Sequence, residues 1–320
     1  MKKWKALPRV LKKTFSEFMS DDGMKLSASL SYYTIFSIAP FLLVVISIAG
    51  AAFGQEAVEG RVYGQIRQLI GPEAAVQIQN IIANVRLRDS GIWGIIIGSA
   101  ILIIGASSVF TEIQGSVNYI WSIRTKPRKG LLKLLLDRLL SFSLVIGIGF
   151  ILLVSLIINS LMDALYERLE NLFRDSSVHL LYITNLVSVL LVITTLFTII
   201  FKVLPDAKIA WKDSITGAFF TTLLFVIGKF LIGLYIGNSR LGATYGTVAS
   251  VFVIMIWVYY TSIILYFGAE FTKVYSRELG KGIKPGEQAV YIIKTESKEL
   301  PSLRSAVTND PKPAKIKLRK

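Results

Sequence analysis

The apolar positions of this chain come in long unbroken runs rather than in the alternating pattern of a soluble domain. Two such runs, 215–236 and 243–272, are separated only by the short polar segment 237–242. Each run exceeds the ~20 residues that a helix needs to cross the hydrocarbon core of a bilayer. The joint between them is too short to hold a domain, so the pattern predicts a helical hairpin across a membrane.

Four further apolar runs complete the prediction, which is an all-α polytopic membrane protein. The six predicted transmembrane helices, within a membrane domain of residues 25–275, cover about 31–54, 92–114, 139–161, 180–201, 215–236 and 243–272. Pro40 is expected to kink the first of them, because proline removes a backbone hydrogen bond. The intervening segment 55–91 carries two amphipathic stripes, which predict extracytoplasmic helices lying on the outer face.

The amino-terminal residues 1–24 have a different pattern. Apolar side chains such as Leu7, Leu11 and Phe15 recur at three- and four-residue steps between lysines and arginines. This pattern is typical of an interfacial amphipathic helix with basic flanks, here on the cytoplasmic side. Pro8 is placed to open that helix. Packing of the same helix on the protein itself is the alternative.

The carboxy-terminal residues 276–320 are strongly basic. From Glu299 onward proline, serine and lysine dominate and no core-forming pattern is left, although the sequence around Tyr291 could form a short ordered piece. The composition predicts a largely disordered cytoplasmic tail.

The distribution of charge predicts the orientation. With six spans both termini lie on one side, and that side carries 16 lysines and arginines before Lys273 against 7 on the other side. Basic loops stay in the cytoplasm, so both termini are expected there. The same rule accounts for most of the net charge of +15, which therefore does not require a nucleic-acid partner. Anionic lipid headgroups are the expected partners of the basic face.

The composition also limits the chemistry. The chain has no cysteine and a single histidine, His179, which rules out disulfides, thiol catalysis and metal sites built from several histidines. No phosphate-binding loop is present. We therefore expect no metal, no cofactor and no enzymatic activity.

One charged residue lies within a predicted span. Lys229 stands about seven residues from the outer end of 215–236, roughly 10 Å in depth at 1.5 Å per residue. An intramembrane charge is a functional hypothesis by default. The alternative is that the side chain reaches the interface by snorkelling.

Two carboxylates are the other candidates for a polar site. Glu270 and Glu112 lie near the inner ends of the sixth and second spans, and they could pair if those helices are neighbours, with Lys25 nearby. Both could equally be plain interfacial residues. Tyrosines could line a polar path beside them, namely Tyr32, Tyr33, Tyr245 and Tyr259.

Several separate motifs resemble, in the same order, those of the YihY/BrkB family of bacterial inner-membrane proteins. The resemblance covers roughly residues 8–275, and the tail after about 280 lies outside it. The matching segments are KLSASLSYYTIFSIAP from Lys25 to Pro40, VLPD from Val203, GKFLIGLY from Gly228, TYG from Thr244, and WVY with GAE between Trp257 and Glu270.

The resemblance implies a polytopic protein with no agreed set of catalytic residues. Roles in transport or in the handling of envelope lipids are suspected for the family, and its old label, ribonuclease BN, is generally regarded as a misassignment. A transporter or lipid-handling protein is thus the first hypothesis, and a membrane scaffold that binds soluble partners through its basic tail is the alternative. A nuclease fits poorly because the acids are scattered along the chain. Glycine pairs, Gly94/Gly98 and Gly233/Gly237, would permit a homo-oligomer but fit intrachain packing equally well.

Overall fold

The computed structural model describes residues 2–37, 75–76, 108–126, 177–238 and 249–294. The described parts are mainly helical, as predicted. The helices are α1 Lys2–Ser20, α2 23–37, α3 108–120, α4 Ser177–Val203, α5 Trp211–Asn238 and α6 Ala249–Leu279. The strands are β1 Ile123–Thr125, β2 Ala207–Lys208, β3 Lys284–Pro285 and β4 Ala289–Tyr291.

Several predicted features lie outside the described residues. They include the kink at Pro40, the side chain of Tyr245 and the span 139–161. Most of 55–91, most of the hairpin joint 237–242 and the tail 295–320 also lie outside.

Two of the described helices are long and apolar enough to cross a membrane. They cover Trp211–Ile236 in α5 and Phe252–Leu279 in α6, and α4 contributes a shorter apolar stretch, Val187–Val203. The outward side of α5 is apolar, with Phe219, Ile227 and Phe230 each at least half exposed. Such a stripe is unfavourable in water and favourable in lipid. The last two predicted spans therefore coincide with membrane-capable helices.

Helix α5 packs between α4 and α6. Phe197 and Phe201 of α4 stack on each other, and Phe225 of α5 meets both Phe197 and Trp257 of α6 edge-on. Aromatic pairs in this geometry add to the free energy gained by burying their surface. The result is a continuous aromatic core through the three helices.

Antiparallel α5 and α6 also interlock through two matched Gly-x-x-x-Thr motifs. Thr272 of α6 lies over Gly217 of α5, and Thr221 of α5 lies over Gly268 of α6, so closely that an added Cβ would fall 1.9 and 2.0 Å from the respective Oγ1 atoms. Each threonine donates its hydroxyl proton to the carbonyl of the glycine in its own helix. Small residues of this kind let two backbones approach. Farther along the pair, Tyr260 lies over Gly228 in the same way.

Helix α1 packs on α6, which was the alternative to a purely interfacial helix. Val10 is buried against Phe271 and Val274 of α6. The helix begins at Lys2, so Pro8 lies inside it and does not open it. Proline has no N–H, so this position donates no hydrogen bond to the preceding turn.

The other side of α1 stays exposed and mixes apolar with basic residues. Phe15 and Met19 are more than half exposed, and Leu7 lies on the same side. Arg9 and Lys12 are exposed beside them. This side has the composition predicted for contact with a membrane surface.

Two small antiparallel ladders close one end of the helices, and we call them the strand cap. In one ladder β1 pairs with β4, and in the other β2 pairs with β3. The strand β4 belongs to the segment predicted as tail, and α6 itself continues past 276 to Leu279. Strands β3 and β4 are mostly exposed, so burial of their side chains is not what orders this segment. The segment is ordered by the backbone pairing of β3 with β2 and of β4 with β1.

The interlocking glycines give a direct test of α5–α6 packing. We expect Gly217→Ala to destabilise the protein by about 1–3 kcal/mol, the usual cost of overpacking a tight contact. Thermal unfolding in detergent measures it. Gly115→Ala is the control, because a Cβ there would meet nothing within 4 Å. Adding Thr272→Ala to Gly217→Ala should restore part of the lost stability. Equal unfolding temperatures of Gly217→Ala and Gly115→Ala would contradict the packing described.

Candidate functional site

A compact group of charges joins α1, α6 and the residues after β4, and we call it the Lys273 cluster. Its core members are Glu17, Asp21, Glu270, Lys273 and Lys294, with Arg277 at its edge. It lies at the end of α6 that carries the strand cap.

The sequence positions these groups through helical spacing and one tight turn. Glu270, Lys273 and Arg277 are three and four residues apart, so they share a face of α6. Glu17 lies on α1, and Asp21 follows in the turn that leads into α2. The next residue, Asp22, takes a left-handed conformation with φ 54°, which aspartate tolerates better than most residues. This turn brings Asp21 beside Lys273.

Lys273 is the centre of the cluster. Its ammonium Nζ lies 2.9 Å from Glu270 Oε2, 3.0 Å from Glu17 Oε2 and 3.3 Å from Asp21 Oδ2. It also donates a hydrogen bond of 2.8 Å to the carbonyl of Ile120 at the end of α3. One lysine thus connects three separate segments to α6.

The outer members of the cluster pair with its carboxylates. Arg277 donates to Glu17, and Lys294 donates to Asp21. The Lys294 ammonium also lies 4.2 Å from the ring centroid of Tyr119 on α3, a cation–π distance. The residues after β4 are thereby fixed to the turn after α1.

The surrounding charges favour the ionised forms of Glu17 on α1 and of Asp21 in the turn after it. Burial raises the pKa of Glu17, but the hydrogen bond from Arg277 and the charge of Lys273 outweigh it, so the net pKa is lowered. Burial likewise opposes the ionised form of Asp21, yet the neighbouring Glu270 carboxyl and the ammonium groups of Lys273 and Lys294 together lower its pKa. Burial lowers the pKa of Lys294, and Asp21 only partly compensates.

A second polar centre orders the strand cap. The carboxylate Oδ2 of Asp206 accepts hydrogen bonds from Asn118 at 2.9 Å, Thr125 at 2.8 Å and Gln114 at 3.2 Å. The Asp206 amide donates in turn to Asn118 Oδ1, and Gly286 donates to the Asp206 carbonyl. Asp206, the last residue of the VLPD motif, therefore has a structural role in joining α3, β1 and the turn between β3 and β4.

A third acid, Asp213, caps the end of α6. It is almost fully buried in the first turn of α5. Its Oδ2 accepts hydrogen bonds of 2.8 Å from the Ser276 hydroxyl and 3.0 Å from the Lys281 amide. The carboxylate thus takes up a backbone donor just beyond the helix, where the chain turns back toward β3.

The residues predicted as a polar site are only partly brought together. Glu270 is fully buried in the Lys273 cluster. Glu112 is half-buried on α3 and acts electrostatically on Tyr266, one turn before Glu270. Lys25 is exposed on α2 and forms no ion pair within the described ranges. Lys273 takes the place that was expected for Lys25.

The tyrosines and Lys229 lie elsewhere. Tyr33 and its neighbour Tyr32 are exposed on α2, and the Tyr259 hydroxyl contacts the sulfur of Met24 at 3.6 Å. Lys229 is partly buried on α5, beside Gly228. Because Gly228 packs on Tyr260, that level lies ten residues of α6 from Glu270, or about 15 Å. Lys229 and Glu270 therefore lie at different levels of the α5–α6 pair.

Sequence reasoning missed the partners of Glu270. Lys273 was not among the predicted site residues, although its spacing of three from Glu270 is a helical ion-pair signal. Glu17 and Asp21 carried no signal that would have placed them against α6. Their positions depend on tertiary packing of α1.

The comparisons with known proteins identify the family. Residues 14–291 match the family described as virulence factor BrkB. The chain belongs to the BrkB family. This confirms the resemblance, and the match extends beyond 275 to include β3 and β4, so the strand cap lies within the family region.

Relatives of this BrkB-family chain are named mainly as membrane proteins. A UPF0761 membrane protein of Azotobacter vinelandii is 25% identical over 80% of this chain and 60% of its own length. Another UPF0761 membrane protein, from Rhodospirillum centenum, is 26% identical over 82% of this chain and 56% of its own length. YfkH of Bacillus subtilis, whose name calls it ribonuclease-like, is 25% identical over 81% of this chain and 92% of its own length. The chain thus spans about three-fifths of the length of the first two relatives. No solved structure matches.

The lowered pKa values of Glu17 and Asp21 predict that the docking of α1 depends on pH. A lowered pKa adds stability above the unfolded-state pKa, and this stability is lost as pH falls through the folded-state value. Docking should be complete near neutral pH and weaken below about pH 4. Amide hydrogen exchange over residues 6–20, corrected for intrinsic rates, measures it. Glu17→Gln should show weaker protection at neutral pH and a smaller pH effect, whereas pH-independent protection would contradict the assignment.

Proposed function

We propose that this BrkB-family chain is a transporter or lipid-handling protein of the bacterial inner membrane, and that it moves or binds a lipid or small solute. The observation that carries the proposal is the Lys273 cluster, which buries a charged network at one end of a membrane-capable helix. Lys229, on a second such helix and at another depth, supports it.

The energetic cost of these charges favours function over mere architecture. A lysine or acid within a membrane-spanning helix costs about 2.5–3.5 kcal/mol at the centre, and less toward the ends. Burial of paired charges is often no more stabilising than apolar packing of the same volume. A protein that only anchored soluble partners would need neither Lys229 nor Glu270 in its apolar helices.

The proposed orientation places both termini and the strand cap in the cytoplasm. The excess of lysine and arginine on that side supports it. The exposed side of α1, with Phe15 and Met19 beside Arg9 and Lys12, suits contact with anionic headgroups of the inner leaflet.

Because the chain lacks cysteine, single substitutions can test this orientation directly. Ser90→Cys, in the segment 55–91, should react with a membrane-impermeant maleimide on intact cells, whereas Ser302→Cys should react only after the inner membrane is permeabilised. Gel-shift labelling measures both. Labelling of Ser302→Cys in intact cells would reject cytoplasmic termini.

Native mass spectrometry in mild detergent tests the transport proposal. The wild type should retain a specific lipid or metabolite, and Lys229→Met should lose most of it while remaining folded. Lys208→Met is the matched control, because Lys208 is exposed on β2 and pairs only with the exposed Glu287 among the described residues. Equal retention by Lys229→Met and wild type would remove Lys229 from the site.

The second candidate function is a scaffold that recruits soluble partners through the basic tail. The strand cap determines where a truncation that tests this function should begin, because residues up to Lys294 are part of the fold. A truncation should therefore remove only residues 295–320. Loss of function in that variant, with Lys229→Met fully active, would favour the scaffold.

A ribonuclease is disfavoured, and we propose that the chain is not an enzyme. Metal-dependent hydrolysis of a phosphodiester needs clustered ligands. In the described portion of the chain no group of three or more His, Asp or Glu side chains is arranged to hold a metal ion. The acids that are clustered there face lysine and arginine.

A further inference from the structure

Lys273 has more acceptors than it can satisfy. An ammonium has three N–H donors. Four acceptor groups surround this one within 3.3 Å, namely the carbonyl of Ile120 and the carboxylates of Glu17, Asp21 and Glu270. At any moment at least one of the four has no hydrogen bond from Lys273.

Glu270 is the acceptor with the fewest other partners. Glu17 also receives Arg277, and Asp21 also receives Lys294. Within the described residues, Lys273 is the only cation that contacts Glu270, whose side chain is 0% exposed. Its Oε1 accepts a hydrogen bond of 3.2 Å from Lys273, whereas its Oε2, 2.9 Å from the same ammonium, makes no hydrogen bond of acceptable geometry. A fully buried carboxylate oxygen is thus left without a donor, which is costly.

A second buried group points toward the same place. The hydroxyl of Tyr266, one turn before Glu270 on the same face of α6, is fully buried and makes no hydrogen bond with the described residues. It lies toward Ser116 and Glu112 of α3, close to Ser116 but outside hydrogen-bond geometry. Polar groups therefore continue from the Lys273 cluster into the helix interface.

We propose that Glu270 is a proton-binding site, ionised in one state of the protein and protonated in the other, with Asp21 as the carboxylate that accepts the hydrogen bond of the protonated form. In the ionised state Glu270 balances the charge of Lys273. In the protonated state the buried oxygen carries the proton and donates a hydrogen bond to the Asp21 carboxylate, so it is no longer an acceptor without a donor. The step adds one proton and breaks no covalent bond.

The surroundings of Glu270 suit both states. The turn after α1 presents Asp21, and α1 presents Glu17. The end of α3 presents the Ile120 carbonyl, and Lys294 approaches from the residues after β4. On α6 itself, Lys273 is adjacent and Arg277 is occupied by Glu17. Two acids close to a third carboxyl in a buried site favour its uptake of a proton, and Lys273 opposes it.

Protonation has a mechanical consequence. Loss of the Glu270 charge frees Lys273 to bind Glu17 and Asp21 more fully, which draws α1 toward α6. If the chain is a transporter, which rests on the function proposed above, the proton is its coupling ion. Proton binding itself can be tested without any knowledge of the substrate.

Infrared difference spectroscopy on the full chain provides the test. The protein is reconstituted in vesicles of phosphatidylethanolamine and phosphatidylglycerol and taken between about pH 8 and about pH 6, where exposed carboxyls remain ionised. The wild type should gain a C=O stretching band of a protonated carboxyl on acidification. Glu270→Gln should lose that band entirely, and Glu287→Gln, at an exposed carboxylate of the strand cap, should keep it.

A second variant keeps the test decisive if Glu270→Gln does not fold. Asp21→Asn removes the negative partner, so the band should appear only at lower pH. Absence of a titrating band from the folded wild type would overturn the proposal, and so would its persistence in folded Glu270→Gln or an unshifted band in Asp21→Asn. A band that depends on Glu270, in a protein that retains no lipid or metabolite, would keep the proton site while rejecting the transport role.

Discussion

The described structure depends on burial of one ammonium group. Lys273 is held by carboxylates from α1, from the turn after it and from its own helix, and by a carbonyl from α3. Removal of one partner of a buried ion pair leaves an uncompensated charge, which costs far more than the pair contributes. The positions of α1, α3 and α6 are therefore mutually dependent at this point, even though apolar contacts supply most of the packing energy.

The contact between α5 and α6 follows a different principle. A bilayer gives no hydrophobic force between two apolar helices, so their association relies on close fit. Matched Gly and Thr residues provide that fit at Gly217 and Gly268, and each threonine satisfies its hydroxyl within its own helix. The two helices can thus pack at this level without side-chain hydrogen bonds between them.

Sequence patterns predicted the membrane-capable helices better than they predicted the candidate site. The apolar runs marked α5 and α6 because composition alone decides whether a helix suits lipid. Glu270 was recognised as a candidate, but the rest of its cluster was not, because Asp21 reaches Lys273 only through the turn at Asp22, and Lys294 reaches Asp21 only through the pairing of β4 with β1. Asp206 was noticed as part of a motif, whereas its three hydrogen-bond donors come from separate segments that no local pattern connects.

The strand cap also bears on how the protein is made. β1 follows α3, and it pairs with β4, which lies beyond α6. Until the ribosome has released residues 284–294, the backbone groups of β1 have no strand to pair with, and Asp21 has no Lys294. The cap can therefore close only after α3 and α6 have both been synthesised, and its closure joins one of the last segments of the family region to a strand made much earlier.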